Sequence, residues 1–192
     1  MLNRRSVIAL LCASSSLSIH PAFANPASEI FDAAALDQWK RTGDANWTRN
    51  GDVIEANKGS GHLVSAKPYG SFYLRAEVWV DEPANSGIFI RCQDPTKPAT
   101  NTGYEVNIFD TRKDPSYGTG AIVDVAKVDP MPKAGGKWNV LEILAEGPIF
   151  TVTLNGQKTV DRARDEKFAK GYISLQYGAG VVKFRRVEIK EL

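Results

Sequence analysis

Short segments in which apolar and polar residues alternate recur along most of the chain, and this pattern limits the possible folds more than any other feature. About eleven such segments are separated by turn-forming residues, and none carries a sustained helical stripe. The clearest turn is Leu154–Gln157, because its Asn155-Gly156 pair accepts positive φ at both central positions of a type I′ hairpin. So many short strands predict an all-β fold in which two antiparallel sheets pack as a sandwich or jelly roll.

The first 24 residues are predicted to be a signal peptide, which leaves residues 25–192 as a single mature domain. Arg4 and Arg5 precede a short apolar run, and Ala22-Phe23-Ala24 offers a small-x-small cleavage site. The arginine pair is also typical of a twin-arginine signal. Export by the general secretory (Sec) route and export by the twin-arginine route therefore both stay open. The apolar run is too short to span a bilayer. We therefore expect a periplasmic or secreted protein with no membrane anchor once the signal is removed.

The charge balance of the predicted mature chain excludes several classes of partner. The signal peptide carries two arginines and no acidic residue, which leaves 22 basic and 22 acidic residues. A chain without net positive charge has no overall electrostatic attraction to nucleic acid or to an anionic membrane. His62 and Cys92 are then the one histidine and the one cysteine, so an internal disulfide and a structural zinc site are both excluded.

Two neighbouring segments crowd polar groups onto one face of an apolar scaffold. With a period of two, Gly87, Phe89 and Arg91 share a face of the first segment, and Glu105 and Asn107 share a face of the second. Asp110 follows at the end of the second, and a third strand is expected over residues 118–124. Fixed donors, fixed acceptors and one possible base suit a sugar or a developing enolate. A solvated sheet face with a surface ion pair would give the same pattern, and both interpretations stay open.

The order of the motifs resembles that of one bacterial domain family. The similarity runs from about Phe31 to Leu192 and is carried by the blocks Ser86–Arg91, Gly103–Asp110, Gly118–Ala121, Trp138-Asn139, Leu154–Gly156, Gly171–Gln176 and Val182–Ile189. The family was first known as the domain of unknown function DUF1080. It is now described as 3-keto-disaccharide hydrolase, or 3-keto-glucoside lyase and 3-keto-2-hydroxyglucal hydratase.

This resemblance implies a concanavalin-like jelly roll whose concave sheet binds a carbohydrate, either a 3-keto-glycoside or an oligosaccharide. A ketone at carbon 3 makes the carbon 2 proton acidic, so a base can remove it and the enediolate can expel the anomeric substituent. Such an enzyme needs a base, a group that holds the enolate oxygen and a proton donor. The candidate roles are base or metal ligand for Glu105, oxyanion partner for Arg91, proton source or substrate contact for Tyr104, and sugar or ion contacts for Asn107, Asp110 and Gln176.

The chain departs from the family pattern at two places. Asn107 stands where many members have Gln, and Tyr177-Gly178 follows Gln176 where members often have a histidine. His62 is expected to be a surface or hydrogen-bonded residue. No cofactor is certain, although Glu105, Asn107, Asp110 and Gln176 would make an oxygen-rich site for Ca²⁺ or Mn²⁺.

The sequence leaves three other functions open. A non-catalytic carbohydrate-binding module could use the same fold, as could a structural or interaction domain. A two-carboxylate glycosidase would need a second acid facing Glu105. Asn107 is the neighbour of Glu105 on its own face, so that acid would have to come from elsewhere, for example from Asp124.

Overall fold

The computed structural model describes residues 28–31 and 39–192, so the predicted signal peptide lies outside the described residues. These ranges contain thirteen β-strands and one short 3-10 helix, Pro115–Tyr117. The strands are β1 Ser28–Phe31, β2 Lys40–Gly43, β3 Thr48–Asn50, β4 Val53–Ala56, β5 Gly61–Val64, β6 Phe72–Val80, β7 Asn85–Cys92, β8 Tyr104–Ile108, β9 Trp138–Glu146, β10 Ile149–Leu154, β11 Gln157–Arg164, β12 Tyr172–Ala179 and β13 Val182–Glu191. In this part of the chain, no helix has the length and apolar character needed to cross a membrane.

The strands form two antiparallel sheets, which confirms the predicted jelly-roll sandwich. The larger sheet has eight strands in the order β11-β10-β9-β6-β13-β4-β3, with β1 paired to β13 beside β4. The smaller sheet has five strands in the order β2-β5-β12-β7-β8. Neighbouring strands in the smaller sheet are often far apart in sequence, since β12 pairs with both β5 and β7.

Alternation along the strands separates the core from the outer faces. In β6, Phe72, Leu74, Ala76 and Val78 are fully buried, as the period of two predicts. The smaller sheet contributes its own inward row, including Ile88, Ile90, Val106 and Leu175. The residues between these positions therefore face away from the core. On the smaller sheet they form the outer face, which carries the candidate functional site.

Ten of the segments predicted as strands are strands in the structure. The Asn155-Gly156 turn joins β10 to β11 with φ values of 52° and 80°, as a type I′ turn requires. The exception is the third strand of the polar region, predicted over residues 118–124, and this prediction is wrong. Gly120 and Asp124 have φ values of 88° and 60°, and these residues form turns that break a continuous strand.

Two long connections border the smaller sheet. Residues 93–103 join β7 to β8, and residues 109–137 join β8 to β9. The second connection follows the free edge of β8, where the Asn107 N–H donates to the Ala121 carbonyl at 3.0 Å and the Val123 N–H donates to the Glu105 carbonyl at 3.0 Å. This connection thereby extends the sheet next to the strand that carries Glu105.

Candidate functional site

Cross-strand register brings one residue from each of five strands into one line across the outer face of the smaller sheet, and four of the five are polar. Residues directly opposite each other on paired strands share a face. The pairs 42↔62, 62↔176, 176↔87 and 87↔107 place five residues in succession, here called the central row: Thr42, His62, Gln176, Gly87 and Asn107. The adjacent row consists of Lys40, Val64, Ser174, Phe89 and Glu105.

The Glu105 side chain leans from its own row toward Gly87 in the central row. A β-carbon added at Gly87 would lie 3.2 Å from Glu105 Oε1, so the carboxylate uses the space that this glycine leaves open. Burial raises the Glu105 pKa from its ordinary 4.5 to about 7; the positive charge of Arg112 opposes this shift and the negative charge of Asp124 adds to it. Within the described part of the chain, the carboxylate has no hydrogen-bond partner. Glu105 can therefore take up a proton near neutral pH.

Asn107 and Gln176 flank Gly87 on its two neighbouring strands, and each has a buried amide oxygen without a partner in the described structure. Asn107 is fully buried, and its Nδ2 donates to the Tyr117 carbonyl at 2.7 Å. This bond fixes the orientation of the amide and leaves Oδ1 free. Buried acceptors are rarely left unpaired, because losing their water without a replacement costs free energy. Both oxygens are covered in this structure, so hydroxyl groups of a ligand above Gly87 would reach them only if the surrounding side chains move.

His62 lies in the central row directly opposite Gln176, which the sequence could not show. Its Nδ1 is 2.9 Å from Ser174 Oγ, and its ring meets the edge of the Phe89 ring with centroids 5.3 Å apart. Burial lowers the His62 pKa to about 4, so the imidazole is neutral at physiological pH. The expectation of a hydrogen-bonded histidine is met. Its position beside Gln176 makes it a candidate ligand contact as well.

A pocket of about 320 Å³ opens over one end of the central row. His62 and Gln176 line it on the sheet side, together with Thr42, and residues 96–98 from the β7–β8 connection line it opposite. Gln176 thus separates this pocket from the space above Gly87 that holds the Glu105 carboxylate.

The expectation that Arg91 faces the site beside Glu105 is wrong. Arg91 has a φ of 53°, and the pairing of β7 with β12 shifts register between positions 89 and 92, so a bulge interrupts the alternation. The guanidinium turns inward, donates to the Gly70 carbonyl at 2.9 Å and the Phe168 carbonyl at 3.0 Å, and stacks 4.9 Å from the centre of the Phe150 ring. Arg91 is 1% exposed and ties two loops to the core.

Tyr104 also lies on the inward face, and so it does not contact a ligand on the central row. Its hydroxyl donates to Asp165 Oδ1 at 2.6 Å and accepts from the Phe168 N–H, and its ring packs 4.7 Å from that of Phe150. Burial raises the pKa of Tyr104 to about 12, which makes it a poor proton source. The neighbour of Glu105 in the sequence is therefore a packing residue.

Asp110 is committed to holding loops together. Its Oδ1 accepts a hydrogen bond from the Thr119 hydroxyl at 2.6 Å, and its Oδ2 accepts from the backbone N–H groups of Ala134 and Gly135 at 2.9 Å. Both oxygens are thus used within the β8–β9 connection, and the predicted role as a sugar or ion contact does not agree with this arrangement.

Arg112 and Asp124 are the charged groups near Glu105 that sequence reasoning missed or placed only loosely. Both come from the β8–β9 connection, and both act on the Glu105 pKa. The sequence does not identify Arg112, because an irregular connection has no periodicity that would predict where its side chains point. The positive charge of Arg112 acts on Glu105, beside which Arg91 was expected to lie.

Residues 26–190 match the family model of the 3-keto-alpha-glucoside-1,2-lyase-like domain. The chain belongs to this family. None of the curated proteins has a sequence that matches this member of the 3-keto-alpha-glucoside-1,2-lyase-like family.

Solved structures with the same fold include carbohydrate-related proteins. This family member resembles a proposed glycosyl hydrolase from Parabacteroides distasonis, with a TM-score of 0.66 and 24% identity over 76% of this chain and 90% of that one. A second proposed glycosyl hydrolase from the same organism gives a TM-score of 0.65 and 21% identity over 76% and 83% of the two chains. The carbohydrate-binding module CBM66 from Bacillus subtilis gives 0.61 and 18% identity over 79% and 95%. At these identities the likeness shows the jelly-roll fold.

Proposed function

We propose that this domain cleaves glycosides that carry a ketone at carbon 3 of the sugar, and that Glu105 removes the proton from carbon 2. The observation that carries the proposal is the position of one buried carboxylate. It lies above Gly87, between two unpaired amide oxygens, and its pKa is raised to about 7. A base with such a pKa is matched to proton transfer at neutral pH.

The reaction runs in two stages that conserve all atoms. Glu105 takes the carbon 2 proton, and the electron pair left behind forms an enolate with the carbon 3 oxygen. The enolate then expels the substituent at carbon 1, which leaves with its bonding pair and takes up a proton from solvent, while Glu105 releases the carbon 2 proton to solvent and becomes a base again. Addition of water across the carbon 1–carbon 2 double bond gives the free 3-keto sugar, so the sum of the two stages is hydrolysis.

The other groups of the site match what these stages need. Arg112 is close enough to Glu105 to lower its pKa, so its positive charge also acts on an enolate that forms beside that carboxylate. Asn107 Oδ1 and Gln176 Oε1 are unpaired acceptors, and they can accept hydrogen bonds from sugar hydroxyls if binding moves the side chains that cover them. These contacts would hold the ring with its carbon 2 proton toward Glu105.

A divalent cation is a further candidate for the enolate-stabilising charge. Glu105, Asn107 and Gln176 are three oxygen-bearing side chains around Gly87, and oxygen ligands suit Ca²⁺ or Mn²⁺. Asp110, the fourth member of the expected set, is occupied by its loop. In the described residues no group of three or more His, Cys, Asp or Glu side chains is placed to hold a metal, so an ion here would depend on the amides. Activity that is lost on chelation and restored by Mn²⁺ or Ca²⁺ would support this role.

A non-catalytic carbohydrate-binding domain is the second candidate. The structural likeness to CBM66 favours it, as does the composition of the two rows, which contain a single carboxylate. The same observation disfavours a two-carboxylate glycosidase, because Asp124 lies outside both rows and is exposed.

The deciding experiment is turnover of a synthetic 3-keto-glucoside in deuterated water. We expect the wild type to release a product with deuterium at carbon 2, because hydration of the double bond delivers a solvent deuteron there. Glu105→Gln should lower kcat by about 100-fold or more. Glu146→Gln, which changes an exposed carboxylate at the end of β9, should not.

Other outcomes would reject the proposal. Product without deuterium at carbon 2 would mean direct hydrolysis, and a fully active Glu105→Gln would remove this residue from the chemistry. Saturable binding of an unoxidised oligosaccharide, with no turnover of any 3-keto-glucoside, would establish the binding domain instead.

A further inference from the structure

The pocket beside Gln176 has no role in the removal of the carbon 2 proton. The Glu105 carboxylate stands over Gly87 in β7, whereas the pocket lies over β5 and the Gln176 side of β12. Two strand spacings, about 10 Å, separate the backbones of Gly87 and His62. A ring that reacts above Gly87 therefore leaves the pocket free for whatever is attached to that ring.

The hydrogen bond between His62 and Ser174 sets which ring nitrogen carries the proton. Ser174 is fully buried, and in the described structure the contact of its hydroxyl oxygen is His62 Nδ1. A buried hydroxyl hydrogen needs an acceptor, and Nδ1 is the acceptor at hand. Ser174 therefore donates to Nδ1, and the proton of the neutral imidazole is on Nε2.

His62 Nε2–H is then a fixed, uncharged donor on a side chain that lines the pocket. Within the described chain it has no hydrogen-bond partner, and His62 lines the pocket. The ring cannot swing freely, because the bond to Ser174 and the edge contact with Phe89 hold two of its sides. A donor held in this way selects a ligand that places an oxygen within its reach.

The remaining lining fits a polar ring. Thr42, Ser60, Lys97 and Gln176 contribute hydroxyl, ammonium and amide groups to a space of about 320 Å³. This volume is at the lower end of the range for small-molecule sites, which suits one hydroxylated ring. A bulky apolar group would leave these polar groups without partners.

We infer that this pocket is the subsite for the group that departs from carbon 1, that it takes a hydroxylated ring such as a second sugar, and that His62 selects this ring by donating from Nε2 to one of its oxygens. The inference rests on the proposed function, since it names the second half of the substrate. His62 is a specificity-determining residue that binds the departing group. It does not protonate it, because a neutral imidazole is a very weak acid.

The test compares two substrates that share the 3-keto-glucosyl ring. One is the methyl glycoside, whose departing group is too small to reach the pocket, and the other is a 3-keto-disaccharide. His62→Phe places a ring beside Phe89 and removes the Nε2–H donor together with the acceptor of the buried Ser174 hydroxyl, so both substrates are compared at a temperature where the variant is folded. We expect kcat/KM for the disaccharide to fall about tenfold, as for the loss of one well-placed hydrogen bond, and that for the methyl glycoside to stay within twofold.

Lys97→Ala provides a second variant on an exposed wall of the pocket, where the fold is not at risk. It should raise KM for the disaccharide alone. Equal losses on both substrates, or no loss on either, would overturn the assignment of the pocket.

Nitrogen-15 NMR of histidine-labelled protein separates this inference from the proposed reaction. The His62 signals, identified by their loss in His62→Phe, should show the Nε2–H tautomer at neutral pH and should shift saturably when glucose is added as a probe of the departing ring. An Nδ1–H tautomer, or no response to glucose, would overturn the subsite even if the 3-keto-glucoside is cleaved. Absence of any cleavage, with the glucose response intact, would reject the reaction and keep the sugar subsite.

Discussion

The Glu105 carboxylate occupies the space above Gly87 that a side chain at residue 87 would fill. A β-carbon there would lie 3.2 Å from Glu105 Oε1 and 3.0 Å from the Val106 carbonyl oxygen. The backbone of Gly87 does not require positive φ, so the role of this glycine is to leave room. The site thus depends on the absence of a side chain between Gln176 and Asn107.

Gly87→Ala should impair the reaction more than the fold. The added methyl group pushes the carboxylate aside by a few tenths of an ångström, and misplacement of a base costs rate steeply. We expect kcat on a 3-keto-glucoside to fall at least about tenfold, with a change in Tm of only a few degrees. Gly70→Ala is the matched control, since its new β-carbon would meet a single atom at 3.9 Å. Unchanged kcat in Gly87→Ala would contradict the placement of the base.

The pH dependence of kcat/KM should report the ionisation of Glu105 and the charges around it. The base acts when it has lost its proton, so activity should rise with pH with a midpoint near the Glu105 pKa of about 7. Arg112→Gln removes a positive charge and should move the midpoint to higher pH, whereas Asp124→Asn removes a negative charge and should move it to lower pH. Shifts of both variants in the same direction would rule out this electrostatic arrangement.

Glu105 and His62 should make the free energy of unfolding depend on pH with slopes of opposite sign. The Glu105 pKa is raised from 4.5 to about 7, so its contribution to stability declines as pH rises through that interval. The His62 pKa is lowered from 6.5 to about 4, so its contribution declines as pH falls through that interval. Between about pH 4.5 and 6.5 the two slopes, each up to about 1.4 kcal/mol per pH unit, oppose each other.

Urea unfolding at several pH values can separate these contributions. Relative to the wild type, Glu105→Gln should gain stability as pH rises from 4.5 to 7, because the buried variant has no charge to desolvate. His62→Gln should gain stability relative to the wild type as pH falls from 6.5 to 4. Parallel profiles for all three proteins would show that neither group is buried as described.

Arg91→Lys should destabilise the protein and leave the chemistry of the folded molecules intact. A lysine ammonium cannot reproduce the planar set of donors that reaches both the Gly70 and Phe168 carbonyls, and a buried carbonyl without a partner costs about 1–3 kcal/mol. We expect a loss of that size in urea unfolding and a wild-type kcat at a temperature where the variant is folded. A hundredfold lower kcat together with wild-type stability would instead show that Arg91 takes part in the reaction.

Periodicity in the sequence predicts the strands, the hairpin at Asn155-Gly156 and the shared face of Glu105 and Asn107. It fails at Arg91, because a single residue with positive φ reverses the alternation and leaves no mark in the residue pattern. It also fails to join His62 to Gln176, which are neighbours only because β5 and β12 pair across more than a hundred positions. Local pattern specifies which side of a strand a residue takes. The register between distant strands decides which residues meet.

The β8–β9 connection, residues 109–137, also has a consequence for the behaviour of the protein in concentrated solution. Its backbone covers the open side of β8, an edge strand, and Thr159 of β11 donates from its hydroxyl to the Gly120 carbonyl at 2.7 Å, which ties it to the edge of the other sheet. Uncovered edge strands pair with strands of other molecules. The same segment carries Arg112 and Asp124. Loosening it would therefore change the Glu105 pKa and expose the edge of β8 at the same time. A loss of activity caused in this way would be accompanied by aggregation of a still largely folded protein.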